Sequence, residues 1–131
     1  MAIKIQTKTT QIPIEFGDDL TLYFDMSDEN IDNLFKAQEA FEKDIAKIDN
    51  DDIEGLKEML RKVYTMFLGE EAFDKVYKLS PSVVILTNYL WSIIDGLKVE
   101  IEKRAGQTQM QKAQKYLQNK NRNRNNHKRK K

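Results

Sequence analysis

The chain of 131 residues contains no cysteine, a single histidine and only five glycines. Without cysteine there are no disulfides and no thiolate metal ligands, and the redox compartment is left unspecified. His127 lies in a run of Asn, Lys and Arg, where no neighbouring group would position it for catalysis or metal binding. None of the glycines forms a phosphate-binding motif. We therefore predict no catalytic residues, no metal ligands and no cofactor, and we do not expect an enzyme.

Paired carboxylates are the residues that most resemble a catalytic or metal-binding site. They occur as the adjacent pairs Asp18-Asp19, Asp51-Asp52 and Glu70-Glu71. Neighbouring residues on a helix point about 100° apart, so such pairs do not converge on one proton or one metal ion. Each pair also falls where a turn or a helix cap is expected. We interpret all three as solvated turn and cap residues.

Long apolar runs are also missing. The longest uninterrupted apolar stretch is Val83–Leu86, whereas a bilayer crossing needs about 20 residues. Residues 1–16 lack the apolar core of a signal peptide. The sequence therefore predicts a soluble, cytoplasmic protein that makes no membrane contact.

Acidic residues stop at Glu102, and the rest of the chain is basic. Residues 103–131 hold eleven of the 22 Lys and Arg, so residues 1–102 carry a formal charge of −10. We predict a compact domain over residues 1–105 and a basic, largely disordered tail over 106–131, because the tail has too few apolar residues for a core. Its cationic residues, available for phosphate contacts, are Lys112, Lys115, Lys120, Arg122, Arg124, Lys128, Arg129, Lys130 and Lys131.

The first 25 residues alternate between apolar and polar side chains. Residues 12–16 and 20–24 each place three apolar residues on one face, and Gly17-Asp18-Asp19 between them is typical of a turn. This pattern predicts a β-hairpin, with Pro13 favouring an edge position for its first strand. Ala2–Thr7 continues the alternation and is predicted as a third short strand.

Four helices are predicted after the hairpin. The first begins after the N-cap Ser27, the second after Asp49–Asp52, the third near Glu70, and the fourth after Ser80-Pro81. The fold class is therefore mainly α with a small N-terminal β-hairpin (α+β), and about four helices pack together. The expected buried positions are Ile31, Leu34, Phe35, Phe41, Ile45 and Ile48, then Ile53, Leu56, Leu60, Val63, Tyr64 and Phe67, then Val83, Leu86, Leu90, Ile93, Ile94, Leu97 and Ile101.

Four residues are candidates for contact with a partner protein. Met59 and Met66 flank the apolar stripe of the second helix, and methionine surfaces adapt to different partners. Tyr89 and Trp91 lie off the main stripe of the fourth helix, and both residue types are enriched in binding hot spots. Core packing is the alternative for each of the four. Val84 and Ile85 also lie off that stripe, so this helix is either central to the core or partly reserved for a partner.

Three segments resemble the tail assembly chaperones of long, non-contractile-tailed phages and prophages of Gram-positive bacteria. They are the hairpin IEFGDDLTLYFD, the sequence LKEMLRKVYTMFLGEEAFDKVY, and the Ser-Pro-initiated helix LSPSVVILTNYLWSIIDGLKVEIEKR. The resemblance covers about residues 10–104. It implies a helical, non-enzymatic protein of the host bacterial cytoplasm that binds the tape measure protein and keeps it soluble until the tail tube polymerises.

The resemblance also implies the tail tube protein as a second partner, recruited by a longer frameshifted form of the chain. The oligomeric state stays open, with a homo-oligomer as one alternative. A nucleic-acid-binding accessory protein that acts through the basic tail is the alternative function. Tyr116 is the only aromatic residue of that tail, so base stacking has little support.

Overall fold

A computed structural model describes residues 1–105. It contains a two-stranded antiparallel sheet followed by four helices, which confirms the predicted fold class. The predicted disordered tail, residues 106–131, lies outside the described residues. The first compact unit of the chain comprises Met1–Gly96. The elements are β1 (Gln11–Phe16), β2 (Leu20–Asp25), α1 (Asp28–Lys47), α2 (Ile53–Leu68), α3 (Ala72–Leu79) and α4 (Val83–Ala105).

The hairpin forms as its alternation predicts. Ile12 pairs with Phe24 and Phe16 pairs with Leu20, and Gly17 turns the chain with a φ of 55°. Phe24 is fully buried, and its ring centroid lies 6.2 Å from that of Phe67 in α2. The inner face of the sheet is therefore part of the same core as the helices.

The predicted third strand is wrong. Residues 1–10 have no regular structure, and every one of them is exposed. Alternating apolar residues form a strand only where a sheet edge accepts their backbone hydrogen bonds. Within residues 1–105 the sheet contains β1 and β2 alone, and neither of its outer edges pairs with segment 1–10.

Side-chain caps fix the starts of α1 and α2. The Ser27 hydroxyl accepts from the Asn30 N–H, and Asp52 Oδ1 accepts from the Gly55 N–H at 2.9 Å, as the sequence predicts. Two predicted core residues are exposed instead, Phe35 and Ile53. The contact face of α1 runs through Leu34, Ala37 and Phe41, which turns Phe35 toward solvent. Ile53 is the first residue of α2, beyond its packed turns.

The start of α4 differs from the prediction by two residues. Ser80 ends α3, because its N–H donates to the Val76 carbonyl at 2.9 Å. The N-cap of α4 is Ser82, whose hydroxyl oxygen accepts from the Ile85 N–H at 3.3 Å. Proline disfavours helical geometry in the residue before it, so Pro81 separates the two helices rather than opening the second.

Tyr64 joins three helices in the core. Its hydroxyl donates to the Leu86 carbonyl of α4 at 2.9 Å, and its ring packs edge-on against Phe73 of α3. Burial, with a smaller contribution from Tyr89, raises the pKa of the Tyr64 hydroxyl. The hydroxyl therefore stays protonated as a hydrogen-bond donor throughout the physiological range.

Candidate interaction surfaces

The outer face of α4 exposes apolar side chains that the core does not use. Val84 is 64% exposed, and Ile85 and Trp91 are exposed as well. At 100° per residue, these three residues fall within about 120° of arc, opposite the buried Leu86 and Leu90. We call this surface the α4 face; it consists of Val84, Ile85, Asn88, Trp91, Ser92 and Asp95, all exposed.

Trp91 is held in place at the edge of the α4 face. Its ring centroid lies 4.5 Å from that of Phe41 in α1, with an angle of 46° between the planes. Phe41 is fully buried, while Trp91 keeps 36% of its surface exposed. One side of the indole therefore packs on the core and the remainder is open. An aromatic ring fixed in this way loses little conformational entropy when a partner covers it.

Tyr89 is engaged within the protein. Its hydroxyl lies 3.0 Å from the Ser80 hydroxyl, and its ring packs edge-to-face on Phe16 with a centroid distance of 5.6 Å. Tyr89 thus links α4 to the end of β1 and to the α3–α4 connection. It remains half-buried, so its partner-facing role stays a prediction.

Met59 does not belong to a partner surface. It is only 5% exposed and lies among the core residues of α2, so the prediction that it faces a partner is wrong. Its place at the flank of the apolar stripe favours the core alternative, which describes Met59 correctly. Helix α2 carries a broader buried face than its main stripe, because neighbours pack on both sides of it.

Met66 lines a groove of about 450 Å³ between the end of β2, the start of α1 and the end of α2. Its lining also includes the apolar residues Tyr23, Phe67 and Leu68 and the acidic residues Asp25 and Glu29. We call this the β2 groove. Met66 is half-buried there and is separate from Trp91, so the predicted candidates do not form one surface.

Asn30 fixes the geometry of the β2 groove. Its side-chain nitrogen donates to the Asp25 carbonyl at 2.8 Å and to the Phe67 carbonyl at 3.2 Å. These two bonds hold the end of β2 beside the end of α2. Asp25 Oδ1 is buried and has no hydrogen-bond partner among the described residues. The groove therefore has an unsatisfied acceptor.

Sequence reasoning missed part of both surfaces. The four predicted candidates do not include Val84 and Ile85, although both are apolar residues off the main stripe of α4, which is the sequence signal that identifies the α4 face. Tyr23 was missed because its role depends on a groove formed by three distant segments. The nine cationic tail residues, Lys112 to Lys131, lie outside the described residues.

The fold defines the class of this protein as a small α+β protein with a helical body and an N-terminal hairpin. Across residues 1–105, no group of three or more His, Asp or Glu is arranged to hold a metal ion. Among the four helices described, none has the length and hydrophobicity required to cross a membrane. The chain matches no protein-family model, no curated protein and no solved structure.

Proposed function

We propose that this protein is a phage tail assembly chaperone that binds the tape measure protein and keeps it soluble before the tail tube polymerises. The observation that carries the proposal is the α4 face, where Val84, Ile85 and Trp91 remain exposed beside a complete core. The resemblance of three sequence segments to that chaperone family gives the partner. We further propose that the protein acts in the host bacterial cytoplasm and without catalysis.

The α4 face suits the chemistry of this partner. A tape measure protein consists largely of long helices with apolar stripes, which aggregate when they are exposed. A second helix with its own apolar stripe covers such a surface by helix-on-helix contact, with aliphatic side chains at the first turn and a fixed tryptophan two turns later. Many copies along one filament add avidity to contacts that are individually weak.

The charge of the body supports the same role. Residues 1–102 carry a formal charge of −10, so copies arranged along a filament expose acidic groups to solvent. Like charge disfavours contact between the acidic bodies of copies on different filaments. The acidic body thus favours solubility, while the α4 face binds the tape measure protein.

Co-expression tests the proposal. The tape measure protein of the same phage or prophage is produced alone and together with this chain, and its soluble fraction is measured after centrifugation. We expect the tape measure protein to be mostly insoluble alone, and soluble and co-purifying with this chain when both are present. A tape measure protein that stays in the pellet despite abundant soluble chain would refute the proposal.

The alternative function is nucleic-acid binding through the basic tail, favoured by eleven cations and no acidic residue over residues 103–131. It predicts an affinity for DNA or RNA that falls steeply between low and physiological salt. That affinity would be lost when residues 106–131 are removed. Filter binding at several salt concentrations measures both effects, and no binding at low salt would exclude this alternative.

A further inference from the structure

Segment 1–10 carries a short strand-like pattern but pairs with no strand. Ile3 and Ile5 lie on either side of Lys4 and are 90% and 82% exposed. Alternating apolar side chains are typical of a strand with one buried face. Such a segment is costly to leave in water and is suited to add to an open sheet edge.

The outer edge of β2 is unpaired at Thr21 and Tyr23, whereas the carbonyl of Asp25, the next outward-facing residue, accepts from the Asn30 side chain. The Met26 N–H donates to the Thr10 carbonyl at 2.7 Å, and hydrogen-bonded pairs alternate along an antiparallel ladder from there. The backbone groups of Thr21 and Tyr23 therefore point away from β1. Within residues 1–105 no strand pairs with them.

The β2 groove lies at the end of β2, where Tyr23 and Asp25 are part of its lining, and it contains groups complementary to segment 1–10. Its lining residues Tyr23, Met66 and Leu68 offer apolar contacts for Ile3 and Ile5, and the carboxylates of Asp25 and Glu29 in the same lining offer charge partners for Lys4 and Lys8. No acidic residue occurs before Glu15, so the whole segment is cationic. Charge and hydrophobicity therefore both favour binding of the segment in the groove.

We propose that two copies of this chain form a dimer by exchanging segment 1–10, each segment adding to the outer edge of β2 and filling the β2 groove of the other copy. The segment leaves the sheet at Thr10, which is bonded to Met26 next to the groove. Nine extended residues reach about 30 Å, enough to cross to a neighbour. Because segment and groove lie at the same end of the hairpin, one twofold axis brings both pairs together. This self-association is independent of tape measure binding and uses a different surface from the α4 face.

Disulfide trapping between differently labelled chains tests the exchange, since the chain has no cysteine of its own. One full-length chain carries Ile5→Cys, the other carries Met66→Cys, and the mixture is oxidised mildly. We expect the mixed disulfide dimer as the main product. The matched control pairs Ile5→Cys with Ile53→Cys, an exposed residue about 20 Å from Met66 along α2, and should give at least tenfold less product.

Equal trapping by both pairs would overturn the exchange. So would trapping only when Ile5→Cys and Met66→Cys share one chain, because the segment would then fill its own groove. Analytical ultracentrifugation of the cysteine-free chain provides the second measurement. The double substitution Ile3→Asp and Ile5→Asp should raise the dissociation constant of the dimer about 100-fold or more. A full-length chain that is monomeric at high concentration, or a dimer unaffected by these substitutions, would also refute the proposal. Either failure leaves the proposed chaperone function untouched.

Discussion

Replacing Val84 and Ile85 with aspartate should return most of the co-expressed tape measure protein to the insoluble fraction. Each aliphatic side chain contributes about 1.5–3 kcal/mol when a partner buries it fully. Val84 and Ile85 are 64% and 41% exposed, so a partner adds only that part, and losing both weakens binding by at least about 10-fold before the cost of burying two carboxylates is counted. The fold should be retained, because both positions are exposed in the first turn of α4, where acidic residues interact favourably with the helix dipole.

Ile53→Asp is the matched control for this substitution. Ile53 is 51% exposed and also lies in the first turn of its helix, but it belongs to α2 rather than to the α4 face. We expect this variant to keep the tape measure protein soluble. Equal loss of solubility with both variants would indicate a general charge effect, and no loss with either would rule out the α4 face as the binding surface.

Phe24→Ala should lower the free energy of unfolding by about 3–5 kcal/mol. Phe24 is fully buried and packs against Phe67, so removing its ring leaves a cavity between the hairpin and α2. For a domain of about 100 residues, this corresponds to a fall of more than about 12 °C in the melting temperature. Urea denaturation followed by circular dichroism measures the change.

Thr21→Ala is the control on the exposed face of the same strand, and it should cost about 1 kcal/mol or less. The comparison separates the packing contribution of Phe24 from a general weakening of β2. If Phe24→Ala unfolds at nearly the wild-type urea concentration, the hairpin is not anchored in the core as the structure indicates.

The elements were predictable because local signals agreed with packing. Alternation over residues 12–24 specified the hairpin, and Ser27 and Asp52 capped their helices as expected. The sequence predictions are wrong where contacts with other elements determine the local structure. Ser80 and Ser82 are equivalent caps in the sequence, and only the end of α3 assigns Ser82 to α4. The alternation of residues 1–7 predicted a third strand that the structure does not contain, because a period-2 pattern does not specify whether a sheet edge pairs with it.

The candidate surfaces were predictable only in part. Trp91 was identified from its position off the main stripe, and it is indeed exposed. Met59 and Met66 look alike in sequence, one heptad apart, yet Met59 is in the core while Met66 lines the β2 groove. Their difference arises because β2 ends and α1 begins beside Met66. No periodicity within α2 contains that information.

Side-chain labelling of Trp91 tests the central claim most directly. Hydroxyl-radical footprinting measures the oxidation rate of this residue, the only tryptophan of the chain, in the free protein and in the complex with the tape measure protein. We predict rapid oxidation when free and at least a fivefold slower rate in the complex, with Val84 and Ile85 protected in parallel. A stable complex in which Trp91 reacts at its free rate would contradict the account.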